Sequence, residues 1–209
     1  MTALMDTAAG GLAAGFHDPV HDAQGVFRDV LRAMSRPGEV RETAVQIDPP
    51  APLIPAAAAV CLALLDFETP LWIGGGGQDT DAAASFLAFH TGAPRAAGAD
   101  QADFVLIADG ATLPALDAFR QGTDEAPEGS ATVIVQVADL AAASPGAAGA
   151  WRLTGPGIDG AVGLCVGGLP GGIVEDLVRN ADRFSRGIDL ILCAGRRLAA
   201  LPRTTRVEG

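Results

Sequence analysis

The sequence has no lysine and no tyrosine, and all fourteen of its basic residues are arginine. Without lysine no Schiff base can form with a carbonyl cofactor, and no Walker A ammonium can reach a nucleotide's phosphates. Covalent pyridoxal-phosphate catalysis and ordinary P-loop hydrolysis are therefore excluded. The lack of tyrosine removes one common general acid. Cysteine is scarce too. Cys61, Cys165 and Cys193 are odd in number, far apart and set among apolar residues, and no CxxC pair occurs. Neither a disulfide framework nor a thiolate zinc site is indicated, and all three are expected as small buried hydrophobes. Positive charge is in short supply: a formal net charge of −11 argues against a general nucleic-acid binder, which needs a basic surface to neutralise phosphates.

Long hydrophobic runs are also missing. Apolar residues make up 49% of the chain, but 27 glycines and 14 prolines break them up before any run reaches membrane-spanning length. Residues 1–15 contain no basic residue, which fits neither a secretory signal nor an arginine-rich transit peptide. A flexible extension is expected over 1–15, then a single α/β domain over 16–209, soluble, cytoplasmic and without a membrane partner.

What is present alternates between helix and strand signals. Asp18-Pro19 reads as an N-cap with proline at the first helical position, opening a helix that Pro37-Gly38 closes. Val20, Ala23, Phe27, Val30, Leu31 and Met34 recur at helical spacing and are expected to form its one apolar face. Strand character follows over 39–45, then an extended proline-rich connection, a buried helix over 56–65, a strand over 70–73 and a helix over 79–90. Further strands are expected at 104–108, 132–137 and 151–154, with helices at 113–119 and 173–182. A terminal hairpin is formed by 188–193 and a second strand that ends at Pro202. Residues 161–168 read as glycine-rich and non-helical. Strands alternating with helices predict an α/β sheet, and the closing hairpin makes it mixed.

Several motifs suggest chemistry, each with a plainer reading beside it. Residues 155–160 match GxGxxG, but no helix follows and Pro156 sits where free amides are needed, so a tight loop is favoured. Gly74 to Gly77 precede a helix that could hold an anion, yet Asp79 and Asp81 put carboxylates in that place. His17, His21 and Asp22 are separated by Pro19 and read as residues of a helix start rather than a metal site. His90 is expected to favour the end of its helix and bond the last carbonyls. Arg28, Arg32 and Arg36 read as a solvated, charge-laced helix face. None of Ser35, Ser85, Ser130, Ser144 and Ser185 sits in a nucleophile elbow. No catalytic, cofactor or metal set emerges. One local positive concentration remains: Arg196, Arg197, Arg203 and Arg206, candidates for contacts with a partner or an anion.

The same carboxyl-terminal segment carries a family resemblance. Residues 187–208, GIDLILCAGRRLAALPRTTRVE, resemble the end of the H subunit of the bacterial carbon–phosphorus lyase system, which degrades phosphonates. HDAQGVFRDVLRAMSRPGEV at 21–40, DFETPLW at 66–72, FLAFHTGAP at 86–94, GTDEAPEGSATVIVQVADL at 122–140 and RLTGPGI at 152–158 follow the family's order. The similarity runs from about residue 17 to the end, departing in the extension before Phe16 and in the Gly/Ala-rich stretches 144–150 and 160–172.

The resemblance implies a three-layer α/β/α fold with a mixed sheet, similar to the large domain of pyridoxal-phosphate-dependent transferases but without the cofactor lysine. It implies a homodimer and an assembly with the G, I and J subunits that attaches an alkylphosphonate to C1 of a nucleoside triphosphate's ribose, displacing the base. Chemistry is attributed mainly to the I and J subunits, which makes this chain a non-catalytic scaffold. The alternative is a nucleotide- or phosphonate-binding enzyme subunit that uses Gly74 to Gly77 or the arginine-rich tail. Under the scaffold reading, Arg203→Ala is expected to weaken assembly and leave the isolated fold intact.

Overall fold

Four helices and two sheets carry the chain in the computed structural model, which describes residues 13–75, 77 and 79–209. The expected extension over 1–15 therefore lies, up to residue 12, outside the described residues. Helix α1 (Pro19–Ser35) starts as the sequence predicts. Asp18 is extended at the N-cap, its side chain accepts from the amides of Val20 and His21, and Pro19 occupies the first turn. Helix α2 (Pro55–Leu64) is alanine-rich and buried from Ala56 to Cys61. Helix α3 (Asp81–Thr91) ends at Gly92, which is left-handed as such a stop requires. Helix α4 (Ile173–Asp182) leads into the terminal hairpin.

The larger sheet has six strands in the order β1-β9-β8-β4-β3-β2. Strands β2 (Leu71–Gly74), β3 (Phe104–Ile107), β4 (Thr132–Gln136) and β8 (Asp189–Ala194) run parallel, with Val105 level with Trp72 and Val133, and Ile134 level with Ile191. Strand β9 (Arg197–Leu201) returns antiparallel to β8, and the two-residue β1 (Arg41–Glu42) closes that edge antiparallel to β9. The sheet is mixed because of that hairpin. Its central strands are apolar on both sides because both faces are covered. Leu106, Ile134, Ile191 and Cys193 face α1, α2 and α3, while Val105, Val133, Val135 and Leu190 face the opposite layer.

That opposite layer is part helix and part sheet. Beside α4 lies a four-stranded antiparallel sheet in the order β10-β6-β7-β5, where β5 is Asp139–Ala143, β6 is Trp151–Thr154, β7 is Val162–Gly167 and β10 is Arg206–Glu208. Leu140, Trp151, Leu153, Leu164 and Val207 join Ile173 and Leu177 of α4 in one apolar interior with the large sheet. The α/β class and the mixed sheet are as expected; this layer is less purely helical than α/β/α implies.

Four local expectations change. The helix over 113–119 is replaced by two 3₁₀ turns, Gly110–Thr112 and Leu116–Ala118. Pro114 holds Leu113 extended, with ψ at 119°, so no α-helix can pass through. The strand over 39–45 shrinks to Arg41–Glu42. The glycine-rich stretch after 160 is the central strand β7, and it pairs with β5, which the sequence reading omitted. Gly163 allows this: a Cβ there would lie 2.6 Å from the Ser144 carbonyl oxygen. Finally, α1 buries Val26, Val30 and Ala33, whereas Val20, Phe27 and Leu31 of the expected core face remain exposed. The stripe that α1 buries packs on α2 and on Leu198 and Ala200 of β9, and the adjacent apolar stripe is left outside.

Candidate functional site

Parallel α/β sheets bind ligands outside the carboxyl ends of their strands, where loops part to either side. Here a cleft of about 520 Å³ opens at the ends of β3, β4 and β8, lined among others by Pro52, Ile54, Asp109, Ala111, Val137 and Gly195. Gln136, the last residue of β4, is buried and builds its floor. Its Nε2 donates to the carbonyls of Ala108 (2.8 Å) and Pro52 (2.9 Å), and its Oε1 accepts from the Ile54 amide at 2.8 Å. One side chain thus ties two strand ends to the loop that starts α2. Asp109 accepts from the Ala111 amide at 3.0 Å and is the one charged side chain on the lining among the described residues.

The four arginines singled out from the sequence do not converge. Arg196 and Arg197 leave the β8–β9 turn beside this cleft, whereas Arg203 and Arg206 lie past the far end of β9, roughly 15 Å away by strand geometry. Arg196 donates from Nη2 to the Thr43 carbonyl at 2.9 Å. Arg197 reaches Asp139 at 3.1 Å, and Arg206 lies 4.0 Å from Asp182 on an open surface.

Arg203 belongs to the interior. Its side chain is 14% exposed and faces Asp189, with Nη2 2.6 Å from Oδ2, while its own amide donates to Asp189 Oδ1 at 2.8 Å. Further bonds run from Nη1 to the Pro127 carbonyl at 2.8 Å and from Nη2 to the Ser130 hydroxyl. A guanidinium bonded this fully within the chain has few donors left for a partner. Its removal is therefore expected to weaken the fold as well as any assembly.

The other motifs resolve locally. In the GxGxxG stretch, Gly157 has φ at 82° and sits where a Cβ would lie 2.3 Å from the Ser35 carbonyl oxygen, so the loop docks on the end of α1. At the glycine run, Asp79 Oδ1 accepts from the Asp81 amide at 3.0 Å and takes the anion's place before α3; Gly76 and Gln78 lie outside the described residues. His21 Nδ1 lies 2.8 Å from Asp18 Oδ2, and Asp22 accepts from the Asp18 amide at 3.0 Å, a helix-start network. His90 bonds the Ala13 carbonyl at 3.0 Å through Nε2 and so pins the segment before α1, not the last turn of its own helix. The Ser35 hydroxyl donates to the Arg32 carbonyl. Cys61 and Cys193 are buried, and burial pushes the Cys61 thiol up to about 12 and the Cys193 thiol up further. Among the described residues, no group of three or more His, Cys, Asp or Glu side chains gathers as a metal site would require.

The cleft went unnoticed in the sequence. Its signals were polar residues closing apolar strands, Gln136 after TVIV and Asp109 after FVLIA.

Residues 14–208 match the family described as bacterial phosphonate metabolism protein (PhnH). The chain belongs to that family. It is 37% identical over 196 residues to the alpha-D-ribose 1-methylphosphonate 5-triphosphate synthase subunit PhnH of Rhizobium meliloti (strain 1021), covering 94% of this chain and 95% of that protein. It is also 40% identical over 115 residues, 54% of this chain and 55% of the other, to a protein of Stutzerimonas stutzeri provisionally named C-P lyase subunit HtxG. The PhnH match spans both sheets and all four helices, so the layer completed by β5 and β7 is part of the matched length.

Proposed function

We propose that this chain is a non-catalytic accessory subunit of the carbon–phosphorus lyase assembly. It acts there in phosphonate catabolism with G, I and J subunits and contributes to attaching an alkylphosphonate to the ribose of a nucleoside triphosphate. The end-to-end match to a relative named as a subunit of that synthase carries the reading. The geometry supports it. The arginines that suggested an anion site are divided between opposite ends of the β8–β9 hairpin, and Arg203 is consumed internally. The reading includes a homodimer, a cytoplasmic location and a single domain, with a frame like the transferase large domain lacking the cofactor lysine. No helix among the described residues is long and apolar enough to cross a membrane.

A second reading makes the cleft a nucleotide site, and its place at the carboxyl ends of parallel strands favours that. Asp109 disfavours it, because a triphosphate would meet a carboxylate and no lining arginine. Calorimetric titration of the isolated chain with ATP and with methylphosphonate separates the two. The accessory reading predicts no saturable binding tighter than about 1 mM. Micromolar ATP binding that Ala111→Trp, which fills the cleft, abolishes would favour the nucleotide-binding reading instead.

A further inference from the structure

Helix α1 carries two apolar seams, and the fold covers one. Val26, Val30 and Ala33 are buried among α2 and β9. Val20, Gln24, Phe27 and Leu31 follow at alternating steps of four and three residues, the 3.5-residue period of a helix that packs along another helix. This outer seam is open: Val20 is 74% exposed, Phe27 49% and Leu31 58%. Large apolar side chains aligned on one exposed face mark an interaction surface, unlike scattered single ones.

Charge beside the seam selects the occupant. His21, Arg28 and Ser35 form the flanking row, one heptad apart, and Arg32 lies next to it. Arg28 makes no ion pair among the described residues, while Arg32 reaches back to Glu39 at 3.1 Å. The carboxylates of the helix are drawn away: Asp29 pairs with Arg41 at 3.0 Å, and Asp22 bonds the Asp18 amide. A second copy would fit this surface badly. Two such seams packed antiparallel would set the row His21, Arg28 and Ser35 against itself. Packed parallel, that row would face Ala23 and Val30. Neither arrangement offers a carboxylate to Arg28.

We infer that the outer face of α1 is the docking site for an amphipathic helix of a partner subunit, one with an acidic residue beside its apolar seam. The inference rests on the accessory-subunit reading and names where the assembly meets this chain. Phe27 and Leu31 are its anchors, and Arg28 supplies orientation and charge selectivity.

The test is co-expression of the full chain with the G, I and J subunits, followed by size exclusion and an affinity measurement on the purified components. Phe27→Ser/Leu31→Ser is expected to weaken association at least about tenfold. Arg28→Glu is expected to weaken it and to reduce its salt dependence. Phe89→Ser, a phenylalanine on α3 that is 67% exposed, is expected to change nothing. All these side chains are exposed, so thermal melts should match wild type. Unchanged affinity in the double variant, with wild type co-eluting, would overturn the docking site and leave the subunit reading standing. Wild type that fails to co-elute would overturn both. A wild-type dimer that the double variant dissociates would assign the seam to a second copy and overturn the proposed occupant.

Discussion

Arg203 shows how a residue flagged as a surface cation becomes a structural one. It closes the far end of the β8–β9 hairpin by binding Asp189 of β8 and the Pro127 carbonyl. Deleting one partner of a mostly buried pair leaves the other without compensation. Arg203→Ala is therefore expected to lower unfolding stability by about 3 kcal/mol in urea titrations. Arg206→Ala, on an open surface, is expected to change it by less than about 0.5 kcal/mol. The thiols divide in the same manner. Cys61 and Cys193 are buried with raised thiol pKa values, whereas Cys165 is half-buried. A thiol reagent is expected to label Cys165 alone in the native protein at neutral pH, and all three in denaturant. Native labelling of Cys61 would show that α2 opens. Gly157 sits in a stretch that matches a phosphate loop because both uses need a backbone without a Cβ; the Ser35 carbonyl packed against it shows which use applies here.

Among elements, α1 was the easiest to place and the hardest to orient. Asp18-Pro19 and Pro37-Gly38 fixed its ends, but its apolar residues form two adjacent stripes. Sequence periodicity alone cannot say which stripe meets α2. The cap also has a pH signature. The His21 amide, and then the His21 ring, hold the Asp18 carboxyl below its ordinary range. A group whose folded pKa is lowered contributes stability above its unfolded pKa and loses it as pH falls through the folded one. Acid titration followed by circular dichroism should therefore show a cap contribution present at neutral pH and lost below the usual carboxylate range. Asp18→Asn, which keeps an acceptor but cannot ionise, is expected to lose less stability over that window. An identical acid profile for the two proteins would contradict the assignment. At the end of β4, Gln136→Ala strips partners from three backbone groups at once. It is expected to cost about 2–4 kcal/mol in chemical denaturation.

Element existence was legible wherever caps or apolar strand runs were strong: α4 at 173–182 and β6 at 151–154 lie where the sequence placed them. It failed where glycine or proline misled. Glycines in 161–168 marked the stretch as non-helical, which it is, but gave no strand signal although they admit the close β5–β7 contact; Pro114 breaks an apolar segment that otherwise suits a helix. The cleft could not be read at all, because Pro52, Asp109, Gln136 and Gly195 are distant in sequence and meet only through strand order.

For the whole molecule, a covered mixed sheet brings its strand ends and the β8–β9 turn together at the cleft and leaves the outer face of α1 exposed. The cleft of about 520 Å³ carries one carboxylate among its described lining residues, the arginines are dispersed, and three large apolar side chains lie exposed in line on α1. That distribution suits a body that assembles more than one that turns over substrate alone. The most direct test is reconstitution of ribose 1-methylphosphonate 5-triphosphate formation from ATP and methylphosphonate with purified G, I and J subunits, with and without this chain. The account predicts product only when this chain is present with the others, and none from this chain alone. Turnover by the isolated chain, or an undiminished rate when it is left out, would contradict it.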